Sequence, residues 1–291
     1  MTTSLAPSQI TRESTSRVVE TQDWTIHYQE AGVGYPVILI HGSGPGASGW
    51  SNFSPNIAPL AENFRVLAID VPGWGQSSEV RAQDSDSVEA LRQFMDELGI
   101  EKAALVGNSM GGMISINMAI TYPERVSHLI SMGAPGLARP QLFSPNGLSE
   151  GMKILVEGYK NPTKEVMREL ADIMTFDSAL ASDEMVTQRA EAAAANDNHR
   201  ANFLEGFGKP DGFLRFPQAE DIATITAPSL LIHGRDDRVV HFEHSLQLNT
   251  LIPNSRLYLL NQCGHWAQLE HSEEFNRIVT DFIGTDSDHH A

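Results

Sequence analysis

The residues with the clearest chemical potential lie in a Gly-x-Ser-x-Gly stretch, GNSMG at 107–111. It follows the apolar run 103–106 and precedes an apolar segment of small residues at 112–119. This order predicts a buried strand, a sharp turn and a helix, with the Ser109 hydroxyl raised at the helix N-terminus. A glycine-rich turn with an incidental serine would not need this context, so we interpret Ser109 as a nucleophile for covalent catalysis.

A serine hydroxyl is a weak nucleophile at neutral pH and requires a base that is itself oriented by a carboxylate. In the predicted fold the acid and then the histidine follow the serine along the chain, each on a loop after a strand. Residues 256–260, RLYLL, have the pattern of a strand and precede a turn that contains His265. We therefore predict that His265 is the base.

The acid is expected on the loop after the predicted strand 229–234. Two consecutive aspartates, Asp236 and Asp237, lie on this loop. A Gly-x-x-Asp spacing from Gly234 reaches Asp237, whereas Asp236 is expected to cap the loop or pair with Arg235 or Arg238. The predicted triad is therefore Ser109, Asp237 and His265.

An oxyanion hole is predicted after the apolar run 37–40, where residues 41–46 read HGSGPG. Where a serine nucleophile stands on a strand–turn–helix element, one backbone N–H of such a loop and the N–H of the residue after the nucleophile donate to the developing oxyanion. We assign these roles to Ser43 and Met110. A phosphate cradle is the alternative for such a loop, but the Lys-Ser/Thr ending and the G-x-G-x-x-G spacing are both missing.

Composition excludes several classes of function. The formal net charge of -17 argues against nucleic acid or an anionic membrane as partner. No apolar run approaches the ~18–20 residues that span a bilayer, and residues 1–7 do not resemble a signal peptide. The single cysteine, Cys263, excludes an internal disulfide and fits a reducing compartment. We expect a cytoplasmic protein without a metal or other cofactor.

Strand and helix patterns alternate along most of the chain, which predicts an α/β class with a mostly parallel, doubly wound sheet, the α/β-hydrolase fold. The alternation stops at about residue 134, and only helical segments follow, at 152–159, 163–174, 183–195 and 199–207. We predict a core of 1–134 and 221–291 with a helical lid inserted at 135–220.

Histidines other than His265 show no comparable placement after a strand. We expect them to be structural or surface residues; this group includes His27, His128, His199, His233 and His244.

Four segments resemble the meta-cleavage product hydrolases, which cleave carbon–carbon bonds in bacterial degradation of aromatic compounds and steroids. They are residues 41–53, 107–112, 234–238 and 263–268, and segments 13–17 and 27–32 are most similar to the steroid branch. The resemblance implies the same triad and a homo-oligomer. It also implies that the dienoate end of the substrate is held by Gly42, Asn52, Asn108, Arg189 and Trp266.

The implied substrate is a 2-hydroxy-6-oxo-hexa-2,4-dienoate, an anionic small molecule. Its carboxylate and enolate need a cation despite the acidic composition, and a guanidinium at Arg189 in the lid can pair with a carboxylate through two bonds. A solvated helix arginine is the alternative for Arg189, and a packing role is the alternative for Trp266. A carboxylesterase would share the triad without needing Arg189, and a ligand-binding protein on the same scaffold would need only the pocket.

Three features depart from the pattern of the family. His233 stands where relatives often carry Trp, His241 stands where many have Pro, and the lid segment 134–141 is altered. We expect His233 to influence the acid loop and the altered lid to change the acyl pocket.

Overall fold

Eight strands form one mixed sheet at the centre of the molecule. The computed structural model describes residues 9–137, 143, 147–209 and 212–284. Across the sheet the strands follow the order β1-β2-β4-β3-β5-β6-β7-β8. Their bounds are β1 Ser16–Glu20, β2 Thr25–Ala31, β3 Tyr35–Ile40, β4 Phe64–Ile69, β5 Ala103–Asn108, β6 Val126–Met132, β7 Ser229–Gly234 and β8 Ser255–Leu260.

Strand direction divides the sheet into a small antiparallel part and a larger parallel part. β2 pairs antiparallel with β1 and with β4, whereas every pair from β4 across to β8 is parallel. All residues of β5 and β7 are buried. Helices cover both faces of these strands, which explains why their sequences are almost continuously apolar.

Helices pack on both faces of the sheet. α2 and α12 contribute Phe53 and Phe275 to one buried cluster, and α3 and α4 contribute Phe94 and Ile114 to the cluster on the other face. This arrangement confirms the predicted α/β-hydrolase fold. The helices are α1 Arg12–Thr15, α2 Gly49–Ala61, α3 Ser87–Glu97, α4 Met110–Thr121, α5 Glu150–Lys160, α6 Lys164–Met174, α7 Asp183–Ala194, α8 Asp197–Gly206, α9 Ala219–Ile222, α10 Glu243–Leu251, α11 Ala267–Glu270 and α12 Ser272–Gly284, with 3-10 turns at Ala82–Asp84, Pro123–Arg125 and Ser178–Leu180.

The four predicted lid helices correspond to α5, α6, α7 and α8, which lie between β6 and β7 in the chain. Each begins after a residue whose side chain accepts a hydrogen bond from the backbone N–H three positions on, which satisfies a donor that the helix itself cannot. These residues are Ser149, Thr163, Ser182 and Asn196. The division at 134 and 221 stays a prediction, and residues 138–141 of the altered lid segment lie outside the described ranges. In the described part of the chain, no helix has the length and apolar character needed to cross a membrane.

Candidate active site

Ser109 occupies a strained turn between β5 and α4. Its φ of 54° and ψ of -113° lie where residues with a side chain are rarely found. The Ser109 N–H donates to the carbonyl of Met132 on the neighbouring strand at 2.7 Å, which helps to hold the turn. Such backbone conformations cost on the order of 1–3 kcal/mol and cluster at functional sites. The geometry is that of a nucleophile elbow.

The two flanking glycines allow this turn to form. A Cβ at Gly107 would lie 2.2 Å from the carbonyl of Gly111, and a Cβ at Gly111 would lie 2.0 Å from the carbonyl of Ile40. No side chain fits at these distances. The Gly-x-Ser-x-Gly spacing therefore reflects close approach of backbone to backbone.

Asp237 and His265 form a direct pair at the carboxyl ends of β7 and β8. His265 Nδ1 donates to Asp237 Oδ2 at 2.7 Å, and both side chains are buried. This bond fixes the ring orientation and leaves Nε2 as the atom that can accept a proton. Ser109 and Asp237 line the same cavity. Within the described ranges the Ser109 hydroxyl makes no hydrogen bond.

The Asp237 carboxylate is held from several sides. Its Oδ1 accepts hydrogen bonds from the backbone N–H groups of Val239 at 2.7 Å and Val240 at 2.9 Å. Burial alone would raise the pKa of Asp237, but the imidazole of His265 and hydrogen bonds from His233 and His265 lower it well below its usual range. Asp237 is therefore ionised at neutral pH. Asp236 Oδ1 lies 3.7 Å from Arg235 Nη2, which is one of the two pairings predicted for it.

His233 lies directly beside the carboxylate of Asp237. Its Nε2 lies 3.2 Å from Asp237 Oδ2 and 2.8 Å from the carbonyl of Val240, and its Nδ1 lies 2.7 Å from Ser245 Oγ. A carbonyl only accepts, so Nε2 carries a hydrogen that faces both oxygens. The buried, fully hydrogen-bonded position of His233 agrees with a structural role, and its contact with Asp237 supports the expected influence on the acid loop.

The remaining four histidines of that group are all buried, so none of them is a surface residue. They are His27, His128, His199 and His244.

The predicted oxyanion loop lies against the nucleophile. A Cβ at Gly42 would lie 3.3 Å from Ser109 Cβ and 3.0 Å from Asn108 Oδ1. Ser43 follows Gly42 and lines the cavity that Ser109 also lines. Met110 is the first residue of α4, where backbone N–H groups lack partners within the helix. The two predicted donors therefore flank Ser109.

Arg189 and Trp266 are in contact with each other. The Arg189 guanidinium carbon lies 4.4 Å from the centre of the Trp266 ring, a favourable cation–π distance. Arg189 is only 3% exposed, so a solvated helix arginine is excluded. Its Nε and Nη2 make no hydrogen bond, and no carboxylate of the described residues pairs with it. Burial lowers the pKa of Arg189 to about 10, which leaves it charged at neutral pH.

The two predicted asparagines are buried beside the same loops. Asn108 Nδ2 donates to the carbonyl of His265 at 3.2 Å, while its Oδ1 has no partner among the described residues. Asn52 Nδ2 donates to the carbonyl of Ser48, and the backbone carbonyl of Asn52 accepts a hydrogen bond from Gln268 Nε2. The Asn108 side chain thus ties the nucleophile turn to the histidine loop.

Two cavities border the oxyanion loop, one at Ser43 and the other at Gly46. The larger, about 960 Å³, is lined by Ser43, Ser109 and Asp237 and by phenylalanines such as Phe203 and Phe213. The smaller, about 460 Å³, is lined by Arg189. A Cβ at Gly44 would lie 3.7 Å from Arg189 Nη1, so the guanidinium borders the oxyanion loop. Of the predicted dienoate residues, Arg189 lines the smaller cavity and contacts Trp266.

The described ranges contain no group of three or more His, Cys, Asp or Glu side chains that could hold a metal ion. The predicted independence from cofactors stays a prediction. Cys263 is buried, and burial together with nearby acidic residues raises the pKa of its thiol. It is therefore a poor nucleophile.

A strained serine, an Asp–His pair and an oxyanion loop at the carboxyl edge of a parallel sheet define a serine hydrolase of the α/β class. Comparison with known proteins agrees: residues 35–272 match the family model described as alpha/beta hydrolase fold. The chain is 39% identical over 285 residues to the 2-hydroxy-6-oxononadienedioate/2-hydroxy-6-oxononatrienedioate hydrolase of Cupriavidus pinatubonensis, covering 94% of this chain and 97% of that protein. It is also 39% identical to the 2-hydroxy-6-oxo-6-phenylhexa-2,4-dienoate hydrolase of Comamonas testosteroni, covering 95% and 99%.

A solved structure gives the same relationship. A mutant of the meta-cleavage product hydrolase CumD of Pseudomonas fluorescens IP01, complexed with acetates, superposes with a TM-score of 0.84 at 35% identity over 94% of this chain and 99% of that one. The chain belongs to the meta-cleavage product hydrolases of the α/β-hydrolase superfamily. The similarity to the steroid branch stays a prediction.

Proposed function

We propose that this protein hydrolyses the C5–C6 bond of a 2-hydroxy-6-oxo-hexa-2,4-dienoate, with Ser109 as nucleophile and His265 as proton carrier. Its place among enzymes of this family and the geometry of Ser109, Asp237 and His265 support the reaction class. The observation that separates this activity from ester hydrolysis is the buried, unpaired guanidinium of Arg189.

The first step prepares a leaving group. A carbon–carbon bond breaks only when the departing carbon can carry charge. Transfer of the 2-hydroxyl proton to C5 turns the dienol into a ketone, so that the fragment leaves as a stabilised enolate. His265, held by Asp237 at 2.7 Å, is placed to assist this proton transfer.

The second step is acyl transfer. Ser109 Oγ attacks the C6 carbonyl carbon as its proton passes to His265, and the N–H groups of Ser43 and Met110 stabilise the oxyanion. The C5–C6 bond then breaks, the electron pair remains on the dienoate fragment, and protonated His265 gives its proton to the C2 oxygen of that fragment, which leaves His265 free to take a proton from the attacking water. Water next attacks the acyl-enzyme and regenerates Ser109. One water is consumed, and the products are a 2-hydroxypenta-2,4-dienoate and a carboxylic acid.

The environment of Arg189 supports the proposal that the substrate is anionic. A buried charge without a partner costs several kcal/mol, and two of its nitrogens have no partner within the described ranges. A ligand carboxylate would satisfy both through a bidentate pair. An ester with no charge would leave the guanidinium unpaired.

The larger cavity supports an apolar acyl substituent. Its volume of about 960 Å³ is at the upper end of ligand pockets, ~300–1,000 Å³. Phenylalanines line it, including Phe203, Phe207, Phe213 and Phe216. We place the C6 substituent there and the carboxylate at Arg189.

We also propose the partners, the location and the oligomeric state of this enzyme. The net charge of -17 disfavours nucleic acid as a partner, and the single buried thiol is compatible with a cytoplasmic location. A homo-oligomer is proposed from the resemblance to the family alone.

Replacing Arg189 by Met tests this proposal. We expect kcat/KM for a phenyl-substituted dienoate to fall by about 10²-fold or more, since a charge-assisted pair is lost. Turnover of p-nitrophenyl acetate should change less than threefold. Arg81→Met, which alters an exposed pair with Asp84, is the matched control. Equal losses on both substrates, or no loss on the dienoate, would favour a carboxylesterase.

A further inference from the structure

We propose that Tyr159, on lid helix α5, is a positioning residue that aligns the oxyanion hole. Its hydroxyl donates to the carbonyl of Ser43 at 2.7 Å. The inference rests on the proposed function, because it takes the Ser43 N–H as an oxyanion donor. It assigns to the lid a direct part in the geometry around Ser109.

The direction of each hydrogen bond around Tyr159 follows from donor count. A phenol has one hydrogen, and the Ser43 carbonyl can only accept, so that hydrogen points to Ser43. The Trp74 indole N–H donates to Tyr159 Oη at 3.0 Å. His199 Nε2 lies 3.3 Å from the same oxygen and must also donate. The hydroxyl therefore receives two bonds and gives one, which polarises it towards Ser43.

Burial keeps this arrangement in one protonation state. It raises the pKa of Tyr159 well above its usual value, so the phenol stays a donor. Burial, with a smaller contribution from His41, lowers the pKa of His199 to about 3, so the imidazole stays neutral. The bond to Ser43 is thus maintained throughout the pH range in which the enzyme would work.

The oxyanion loop needs an external restraint of this kind. Residues 41–46 contain three glycines, which leave the backbone with many accessible conformations. Inside the loop, His41 Nδ1 bonds to the carbonyl of Gly42 at 2.8 Å. The Tyr159 bond adds the restraint at Ser43 itself and sets the orientation of the peptide unit that follows it.

The ring of Tyr159 is fixed independently of its hydroxyl. It stacks on Phe203 of lid helix α8 with ring centres 3.8 Å apart and planes inclined by 10°. Removing the oxygen alone should therefore leave the ring in place. Tyr159→Phe isolates the hydrogen bond from the packing.

In Tyr159→Phe we expect kcat for the dienoate to fall by about 10- to 100-fold, less than the 10²–10³ lost when an oxyanion donor is removed outright. KM should change less than threefold, because ground-state contacts remain. The rate at which a p-nitrophenyl phosphonate labels Ser109 should fall by a similar factor. Thermal unfolding is followed in parallel, and Tyr122→Phe, which removes a hydroxyl bonded to Glu89, is the matched control.

A wild-type kcat and labelling rate in Tyr159→Phe would overturn the inference. So would a loss confined to KM or to thermal stability, which would indicate packing alone. Trp74→Phe is a second variant that keeps the Tyr159–Ser43 bond but removes one polarising donor, and it should show a smaller fall in kcat. If the wild type labels with phosphonate but does not cleave the dienoate, the proposed function fails while the labelling comparison still tests Tyr159.

Discussion

At the scale of single residues, the acid arm of the site is the most distinctive feature of this chain. Asp237 Oδ2 lies between two imidazoles, 2.7 Å from His265 Nδ1 and 3.2 Å from His233 Nε2. His233 is completely buried and bonded to Ser245 on its other nitrogen. The carboxylate is thereby fixed in position by His233 and the backbone of the acid loop.

Replacing His233 by Phe should weaken this arrangement. The His233 hydrogen bond is among the contacts that lower the pKa of Asp237, and a depressed carboxylate pKa adds stability above the unfolded value of ~3.9. Without His233 we expect a loss of about 1–2 kcal/mol at pH 7, an acid-unfolding midpoint at higher pH, and kcat/KM down about tenfold. Circular dichroism against pH and dienoate kinetics would measure these changes.

His233→Gln is the matched variant, because its amide retains an N–H donor. Partial rescue of the acid-unfolding midpoint and of kcat/KM is expected. If Phe and Gln behave alike and both match the wild type, His233 does not position Asp237.

The candidate triad residues could be identified from sequence because each follows a strand, and the carboxyl ends of parallel strands meet at one edge of the sheet. The influence of His233 on the acid loop could also be predicted, since it lies four residues before Asp237 at the end of β7. No sequence feature predicted the role of Tyr159. Its contact with Ser43 spans 116 residues, and only the packing of the lid brings the two together.

At the scale of elements, the lid is bonded to each catalytic loop. The carbonyl of Met174, at the end of α6, accepts from the N–H of His265 at 2.7 Å. The Ser149 hydroxyl, at the start of α5, donates to the carbonyl of Val239 on the acid loop at 2.7 Å. Together with the Tyr159 bond, these contacts make the lid a part of the site's framework.

Glu270 joins the histidine loop to the lid through backbone amides. Its carboxylate accepts from the N–H groups of Gly264 at 2.7 Å, Phe176 at 2.6 Å and Asp177 at 2.8 Å. Glu270→Ala leaves three donors without this partner. We expect a loss of about 2 kcal/mol in unfolding free energy and a fall in kcat/KM of about tenfold.

Urea unfolding and dienoate kinetics would measure both effects, with the exposed Glu273→Ala as the matched control. An unchanged kcat/KM in Glu270→Ala would show that the histidine loop does not depend on this link.

Element boundaries illustrate what sequence patterns can supply. The lid helices were predicted from helical sequence patterns, and the structure adds that Ser149, Thr163, Ser182 and Asn196 cap them. β1 was not predicted, because its sequence, SRVVE, is short and polar at both ends. It forms because its backbone pairs with β2 at the edge of the sheet, a tertiary contact that no local pattern encodes.

At the scale of the whole molecule, buried histidine makes the fold sensitive to mild acid. The folded-state pKa of His199 is about 3, against an ordinary value of 6.5. Below pH 6.5 the unfolded chain therefore binds a proton that the folded chain does not, and stability falls until about pH 3. By pH 5 this one group should cost about 2 kcal/mol.

His199→Gln keeps a neutral N–H donor and cannot be protonated in this range. Between pH 7.5 and 5, its unfolding free energy should decline by about 2 kcal/mol less than that of the wild type. Denaturant unfolding at several pH values would measure the difference. Parallel curves for the two proteins would contradict a neutral, buried His199.

The central claim is carbon–carbon bond cleavage at Ser109, and the most direct measurement is the decay of dienoate absorbance on mixing with the purified protein. It is run beside p-nitrophenyl acetate, with Ser109→Ala as the control. We expect the wild type to remove the dienoate absorbance rapidly, with stoichiometric release of 2-hydroxypenta-2,4-dienoate and carboxylic acid, and to turn over the ester slowly. Ser109→Ala should not bleach the dienoate above background. Ester turnover without bleaching, or wild-type bleaching by Ser109→Ala, would contradict it.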